Sequence, residues 1–102
     1  MYGTVARLQV KPGSLEALQA WGSSADSGKI SGFIGTYLYQ MDKNANELYL
    51  AVLFADKESY VANAQDPAQH TRYLEMRTHL AADPEWHDGE IVYATEAIAH
   101  GV

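Results

Sequence analysis

The chain has 102 residues, with seven Lys or Arg against thirteen Asp or Glu, so its formal net charge is −6 and nucleic acid is excluded as a partner. The length fits one small domain, and the 47 % hydrophobic content is that of a folded globular protein. The chain contains no cysteine, which excludes disulfides, thiolate nucleophiles and cysteine-bound zinc or iron–sulfur sites.

The first half of the sequence predicts a strand, a helix and a β-hairpin. Apolar and polar residues alternate from Tyr2 to Val10, as in a half-buried strand. The turn residues Lys11 to Ser14 open a helix that we expect to end near residues 27–28. Alternation returns from Phe33 to Met41 and from Glu47 to Phe54, with polar residues between them. These two segments are predicted to pair as a hairpin.

The second half predicts a helical region in two parts and a fourth strand. Asp56 is a suitable N-cap for a short helix, and Asp66-Pro67 separates it from a longer helix that ends at Asp83-Pro84. The fourth strand is expected from Glu90 to Thr95, where alternation resumes. The order βαββαβ predicts an α+β, ferredoxin-like fold, in which a four-stranded antiparallel sheet carries the helices on one face.

Strands two and three are apolar on both faces. In strand two Phe33, Tyr37 and Tyr39 alternate with Ile34 and Leu38, and strand three is similar. Helices on one face would leave about five such side chains uncovered, each forgoing roughly 1.5–3 kcal/mol of transfer free energy. We therefore expect two copies to pack sheet on sheet as a homodimeric α+β barrel. The alternative is a set of half-exposed tyrosines on a solvated face.

The sequence has no sign of secretion or membrane insertion. No basic stretch followed by an apolar one opens it, and no apolar run reaches the roughly 18 residues of a membrane span. We therefore expect a cytoplasmic protein without a membrane partner.

Motifs for nucleotides and metals are weak. The glycine-containing segment Gly32 to Gly35 enters a strand with no helix after it, which does not fit a nucleotide cradle. One local group could hold a divalent ion, although a polar turn after the helix is the preferred interpretation. This group is Asp83, Glu85, His87 and Asp88. We expect no metal and no cofactor.

Two polar residues of the helical region are candidates for catalysis. His70 shares a helix stripe with Tyr73 and Leu74, so an imidazole lies at the edge of an apolar contact and could act as a general base toward an acidic phenol or enol. Its alternative is a structural hydrogen bond to the backbone or to Asp66. Asn63 could donate a hydrogen bond to a developing oxyanion, or could simply face solvent.

Several segments, taken in order, resemble the antibiotic biosynthesis monooxygenase family. They are Lys11-Pro12-Gly13, Gly32-Phe33-Ile34-Gly35, Glu47 through Phe54, Glu58 with Tyr60, His70, and Pro84 through Gly89. The resemblance covers about residues 1–96, which we expect to be a single domain followed by a C-terminal tail at 97–102. It implies a dimeric α+β barrel with a pocket between sheet and helices in each subunit.

The resemblance also implies a function. Some members of the family are cofactor-independent oxygenases, so we expect a monooxygenase that oxidises a small phenolic, quinol or polyketide-like aromatic substrate with molecular oxygen. By similarity, His70 and Asn63 are the base and the oxyanion-side residue, and Phe33, Tyr37 and Trp86 bind the substrate. Packing of Trp86 into the sheet or the dimer seam is the alternative for that residue.

Two other functions stay open. One is a non-catalytic dimeric barrel that binds a small hydrophobic ligand. The other is haem degradation, whose family branch carries, as well as the His, an Asn in strand one and a Trp in the second helical region. This sequence has Ala6 in strand one, and Tyr60 and Asn63 in the helix, so two of three signature positions differ.

Overall fold

The computed structural model describes residues 1–23 and 29–95. Within them the elements are β1 Tyr2–Gln9, α1 Leu15–Ser23, β2 Phe33–Met41, β3 Asn44–Phe54, α2 Lys57–Ala64, α3 Pro67–Arg77 and β4 Glu85–Glu90. The strands form one antiparallel sheet in the order β2-β3-β1-β4, which is the order of the ferredoxin-like fold. The predicted fold class is confirmed.

The centre of the core lies on the side of β1 that faces the helices. Ala6 and Leu8 of β1, and Val10 just after it, are fully buried there. Leu18 of α1 and Met76 of α3 pack onto them. Burial of these side chains therefore attaches both helices to the middle of the sheet.

Strands β1 and β3 approach each other so closely that position 3 requires a glycine. A Cβ atom on Gly3 would lie 1.9 Å from the backbone oxygen of Val52. The pairing of β1 with β3 over eight residues follows from this fit and from the matched alternation of both strands.

Both helices of the second helical region begin as predicted. Asp56 caps α2 by accepting a hydrogen bond from the Ser59 backbone nitrogen at 2.8 Å, and Asp66 caps α3 by accepting one from Ala68 at 2.9 Å. These two caps fix the direction in which α2 and α3 cross the sheet.

The predicted end of the longer helix is wrong. This helix, α3, ends at Arg77 and not at Asp83. The chain leaves the helix because Leu80 pairs with Val10 as an antiparallel bridge, and Ala81 donates a hydrogen bond to the Gln9 backbone oxygen at 2.7 Å. A tertiary contact with β1 therefore ends the helix before its local sequence would.

The predicted fourth strand is also wrong in position. Strand β4 is Glu85–Glu90, where the sequence predicts a polar turn, and residues 91–95 form no strand. This strand lies at the edge of the sheet, pairs only with β1, and is exposed to solvent along its length. An exposed edge strand needs no apolar alternation, so the sequence pattern does not reveal it.

Strand β2 has the predicted bounds but not the predicted faces. A register shift between Phe33 and Gly35 inserts one residue into the pairing with β3. As a result Phe33 lies on the helix side together with Thr36 and Leu38. Tyr37 lies on the opposite face, so the prediction that Phe33 and Tyr37 share a face is wrong.

The hairpin between β2 and β3 is tighter than predicted. Strand β3 begins at Asn44 instead of Glu47, and only Asp42 and Lys43 form the turn.

The predicted end of α1 at residues 27–28 and the tail at 97–102 lie outside the described residues. No helix in the described part of the chain is long and apolar enough to cross a membrane.

Candidate functional site

A large cavity of about 960 Å³ separates the helices from part of the sheet. All three described helices and all four strands contribute to its wall. Most of the wall is apolar. The cavity is present because the core side chains do not extend across the whole sheet. Its lining includes Thr4, Trp21, Phe33, Leu38, Phe54, Tyr60, Asn63, His70, Arg72, Tyr73, Trp86 and Asp88.

An aromatic cluster forms one end of the cavity. Phe54 makes edge-to-face contacts with Phe33 and with Tyr60, at centroid distances of 5.7 and 5.6 Å. Tyr2 lies 5.2 Å from Tyr60. Edge-to-face pairs of this kind hold the rings in fixed orientations, so this end of the cavity is rigid.

Another part of the wall is formed by α3 and β4. Tyr73 and Trp86 lie 6.4 Å apart between ring centroids, and the guanidinium of Arg72 lies 5.0 Å from the ring centroid of Trp21. The second contact is a cation–π interaction, which directs a positive charge toward this side of the cavity. Flat aromatic molecules match walls of this composition.

A hydrogen bond joins α2 to β4 inside the cavity. The Tyr60 hydroxyl donates to Asp88 Oδ1 at 2.8 Å. Burial, followed by the hydrogen bond to the Asp88 carboxylate and its negative charge, raises the pKa of Tyr60 to about 12. At neutral pH Tyr60 is therefore protonated and acts as a donor, not as a base.

Thr4 of β1 lies beside this pair and is only 5 % exposed. Its hydroxyl is near enough to Tyr60 to lower that pKa slightly, offsetting part of the rise. Yet the Thr4 Oγ1 atom makes no hydrogen bond of normal geometry within residues 1–23 and 29–95. The cavity thus contains a buried hydroxyl whose hydrogen-bonding capacity is unused.

Four of the five predicted site residues line this cavity. Asn63 projects from α2, one helical turn after Tyr60, and is half-buried. His70 projects from α3 and is also reached by solvent. Its backbone nitrogen makes the ordinary helical bond to Asp66, but its imidazole has no hydrogen-bond partner in the described part of the chain. Phe33 and Trp86 are wall residues.

Tyr37 is the exception. Because alternate residues of β2 face the cavity, Tyr37 points to the other side of the sheet, and it does not line the cavity. It is 58 % exposed on the open sheet face. The placement of Tyr37 as a wall of this cavity is therefore corrected.

Three of the four residues considered for a metal ion are directed to separate partners. Asp83 pairs with Arg77 at 2.7 Å, Glu85 with Arg7 at 2.9 Å, and Asp88 with Tyr60. Over the ranges 1–23 and 29–95, no group of three or more His, Asp or Glu side chains could hold a metal ion.

Sequence reasoning missed the cluster of Thr4, Tyr60 and Asp88 as part of the site. Tyr60 and Asp88 are 28 residues apart, and no local spacing connects them. If β4 had been placed correctly, Asp88 would have been predicted as a site residue, because Trp86 and Asp88 are alternate residues of β4 and share the face that is directed toward the helices.

Solved structures share this fold over nearly the whole chain. A candidate antibiotic biosynthesis monooxygenase from Chloroflexus aurantiacus J-10-fl has 23 % identity and a TM-score of 0.74, and the match covers 93 % of this chain and 96 % of that chain. A conserved protein from Methanosarcina mazei Go1 has 20 % identity and a TM-score of 0.75, with 86 % and 89 % covered.

A third structure has a stated activity. SnoaB, a cofactor-independent oxygenase from Streptomyces nogalater, has 14 % identity and a TM-score of 0.77, and the match covers 91 % of this chain and 94 % of that chain. At such identities the three structures are evidence for the fold only. No curated protein matches the sequence.

The sheet order and the cavity between sheet and helices define a ferredoxin-like α+β protein with an internal ligand-sized site. The family model for antibiotic biosynthesis monooxygenase matches residues 1–76, about three quarters of the chain. The chain belongs to the antibiotic biosynthesis monooxygenase family. The matched range contains Asn63 and His70, whereas the segment from Pro84 to Gly89 that carries Trp86 lies beyond it.

The raised pKa of Tyr60 leads to a spectroscopic prediction. In an ultraviolet difference titration of the wild type against Tyr60→Phe, one tyrosine should ionise near pH 12 instead of its ordinary value of 10.0. Asp88→Asn should lower this pKa only in part, because burial is the larger cause. Circular dichroism over the same pH range controls for unfolding. A difference step near pH 10 in the folded wild type would contradict the assignment.

Proposed function

We propose that this protein is a monooxygenase that oxidises a small phenolic, quinol or polyketide-like aromatic substrate with molecular oxygen. The observation that carries the proposal is the placement of Asn63 and His70 on the wall of one apolar cavity. Membership of the antibiotic biosynthesis monooxygenase family, and a cofactor-independent oxygenase of the same fold, support it.

The size and lining of the cavity suit such a substrate. Its volume of about 960 Å³ is at the upper end of the range for small-molecule sites, about 300–1,000 Å³. Aromatic side chains stand on the sheet, as Phe54 and Trp86, and on the helices, as Tyr60 and Tyr73. Flat rings can therefore pack between the sheet and the helices.

The proposed chemistry takes its electrons from the substrate. For an activated methylene group beside a phenol ring, a base removes one proton, and the enolate transfers an electron to oxygen. The two radicals join through a new carbon–oxygen bond, and the peroxide takes a proton. Loss of water, with the second proton of the methylene carbon, leaves a carbonyl group. One oxygen atom enters the product and the other becomes water. The four electrons that the substrate carbon loses are therefore the four that molecular oxygen gains.

In this scheme the protein moves protons and orients the substrate. His70 is the proposed base, since its imidazole lines the cavity and no described residue occupies its nitrogen atoms. Asn63 is the proposed donor to the enolate oxygen, because its amide lies on the same wall. Tyr60 is unsuitable as a base at neutral pH, since its pKa is about 12.

We further propose that two copies associate through the open face of the sheet. Val5, Tyr37 and Tyr39 are 49, 58 and 56 % exposed on this face, although they belong to well-ordered strands. Across the same face, Arg7 bridges Glu47 of β3 and Glu85 of β4. An apolar patch whose arginine is paired within its own subunit can pack against a second copy of itself about a two-fold axis.

Replacement of His70 tests the oxygenase proposal. With anthrones and quinols as substrates, His70→Ala and Asn63→Ala should each lower kcat by about 100-fold in oxygen-uptake measurements. His79→Ala is the matched control, because His79 does not line the cavity and should leave the rate unchanged.

Two outcomes would contradict the proposal. Equal rates for the wild type and His70→Ala would remove His70 from the mechanism. Tight binding of these compounds without any oxygen uptake would instead identify a non-catalytic binding protein.

The dimer proposal is tested by a charge on the open face. The wild type should have twice the chain mass of 11.2 kDa in light scattering at micromolar concentration, and Tyr39→Asp should be monomeric because a buried carboxylate is strongly disfavoured. Leu74→Asp is the matched control, since Leu74 is similarly exposed on α3, away from the sheet. A monomeric wild type would disprove the association.

A further inference from the structure

A polar cluster between α2 and the sheet has hydrogen-bonding capacity that the protein itself does not use. It consists of Thr4 on β1, Tyr60 on α2 and Asp88 on β4, and is called the hydroxyl site below. All three side chains line the cavity. The sequence-predicted residues Asn63 and His70 are not members of it.

Asp88 is the acceptor of this site. Its Oδ1 atom accepts the hydrogen bond of Tyr60 at 2.8 Å. Its Oδ2 atom accepts none from residues 1–23 or 29–95. An ionised carboxylate can only accept hydrogen bonds, so a group that binds to Oδ2 has to be a donor.

Tyr60 holds the carboxylate in place. Its ring is fixed between Tyr2 and Phe54 at centroid distances of 5.2 and 5.6 Å. The hydroxyl therefore reaches Asp88 from a rigid position, and the free carboxylate oxygen has a defined direction. Tyr60 thus acts as a positioning residue for Asp88.

Thr4 is the second sign of a ligand. A buried hydroxyl without a partner lowers the stability of the free protein, and native proteins keep few such groups. The Thr4 hydroxyl adjoins that of Tyr60. This buried hydroxyl lies on the wall of the cavity and is available to a ligand that binds there. The unused capacity of the free protein is then satisfied in the complex.

We propose that the hydroxyl site binds a free hydroxyl group at the edge of an aromatic ligand, with Asp88 as acceptor. This rests on the proposed function in that it takes the cavity as the place where the aromatic substrate binds. The site would select hydroxylated aromatics over their ethers and over unsubstituted rings. A methyl ether has no donor and would leave the free Asp88 oxygen without a partner on the ligand.

Binding, not turnover, tests this inference. The probes are a hydroxyanthraquinone whose hydroxyl is remote from its carbonyls, the methyl ether of that compound, and unsubstituted anthraquinone. Their Kd values can be measured by quenching of Trp21 and Trp86, which both line the cavity. The wild type should bind the hydroxylated probe about 10-fold more tightly than either other probe, as expected of a hydrogen bond to a charged acceptor.

Substitutions at the hydroxyl site should remove this preference selectively. Asp88→Ala should bind all three probes equally, and Asp88→Asn, which keeps an acceptor oxygen, should retain part of the preference. Tyr60→Phe should reduce it by releasing Asp88. Thr4→Val, which keeps the shape of the side chain, should reduce it a few-fold without affecting the unsubstituted probe. Glu90→Ala is the matched control, because Glu90 is on the same strand but outside the cavity.

The outcomes separate this inference from the proposed function. Equal Kd values for the three probes in the wild type, or a preference that survives in Asp88→Ala, would overturn the hydroxyl site even if oxygen uptake is observed. Absence of binding by all three probes would overturn it as well. A hydroxyl preference that Asp88→Ala abolishes would support it even in a protein that consumes no oxygen. An unchanged preference in Thr4→Val would remove Thr4 from the site.

Discussion

Burial of the helix-facing side chains of β1 is the interaction on which the rest of the structure depends. Ala6, Leu8 and Val10 hold α1 and α3 against the middle of the sheet, and β1 pairs with both β3 and β4. These contacts fix the helices at one distance from the sheet. Beyond the core the helices stay at the same distance from the sheet, but no core side chains fill the gap. This gap is the cavity.

The same arrangement explains why the wall of the cavity combines apolar and polar groups. Its apolar part continues the core through Phe54 and Trp86, whereas Thr4 and Asp88 come from strand positions beyond the core. A site of this kind orients a ligand through a few directed polar groups on a largely apolar wall. Such a site suits chemistry in which the substrate itself supplies the electrons.

The sequence predicts the parts of the fold in which burial imposes a pattern. Alternation on β1, β2 and β3 and the acidic caps Asp56 and Asp66 were sufficient for the order of the elements. Strand β4 could not be predicted because an exposed edge strand has no apolar period. The bulge after Phe33 depends on pairing with β3, so no local pattern reveals it, and it separates Phe33 from Tyr37.

The candidate site was predictable where the family resemblance names its residues and hidden where only the fold brings residues together. Asn63 and His70 follow from the family resemblance, whereas Tyr60 and Asp88 meet only through the fold. We propose that the cavity between sheet and helices is where the ligand binds. A crystal structure with bound hydroxyanthraquinone tests it most directly. We expect the rings of the ligand to lie between Phe54 and Trp86, with the hydroxyl of the ligand at Asp88. A ligand on the open sheet face, with the cavity filled by water, would contradict the account.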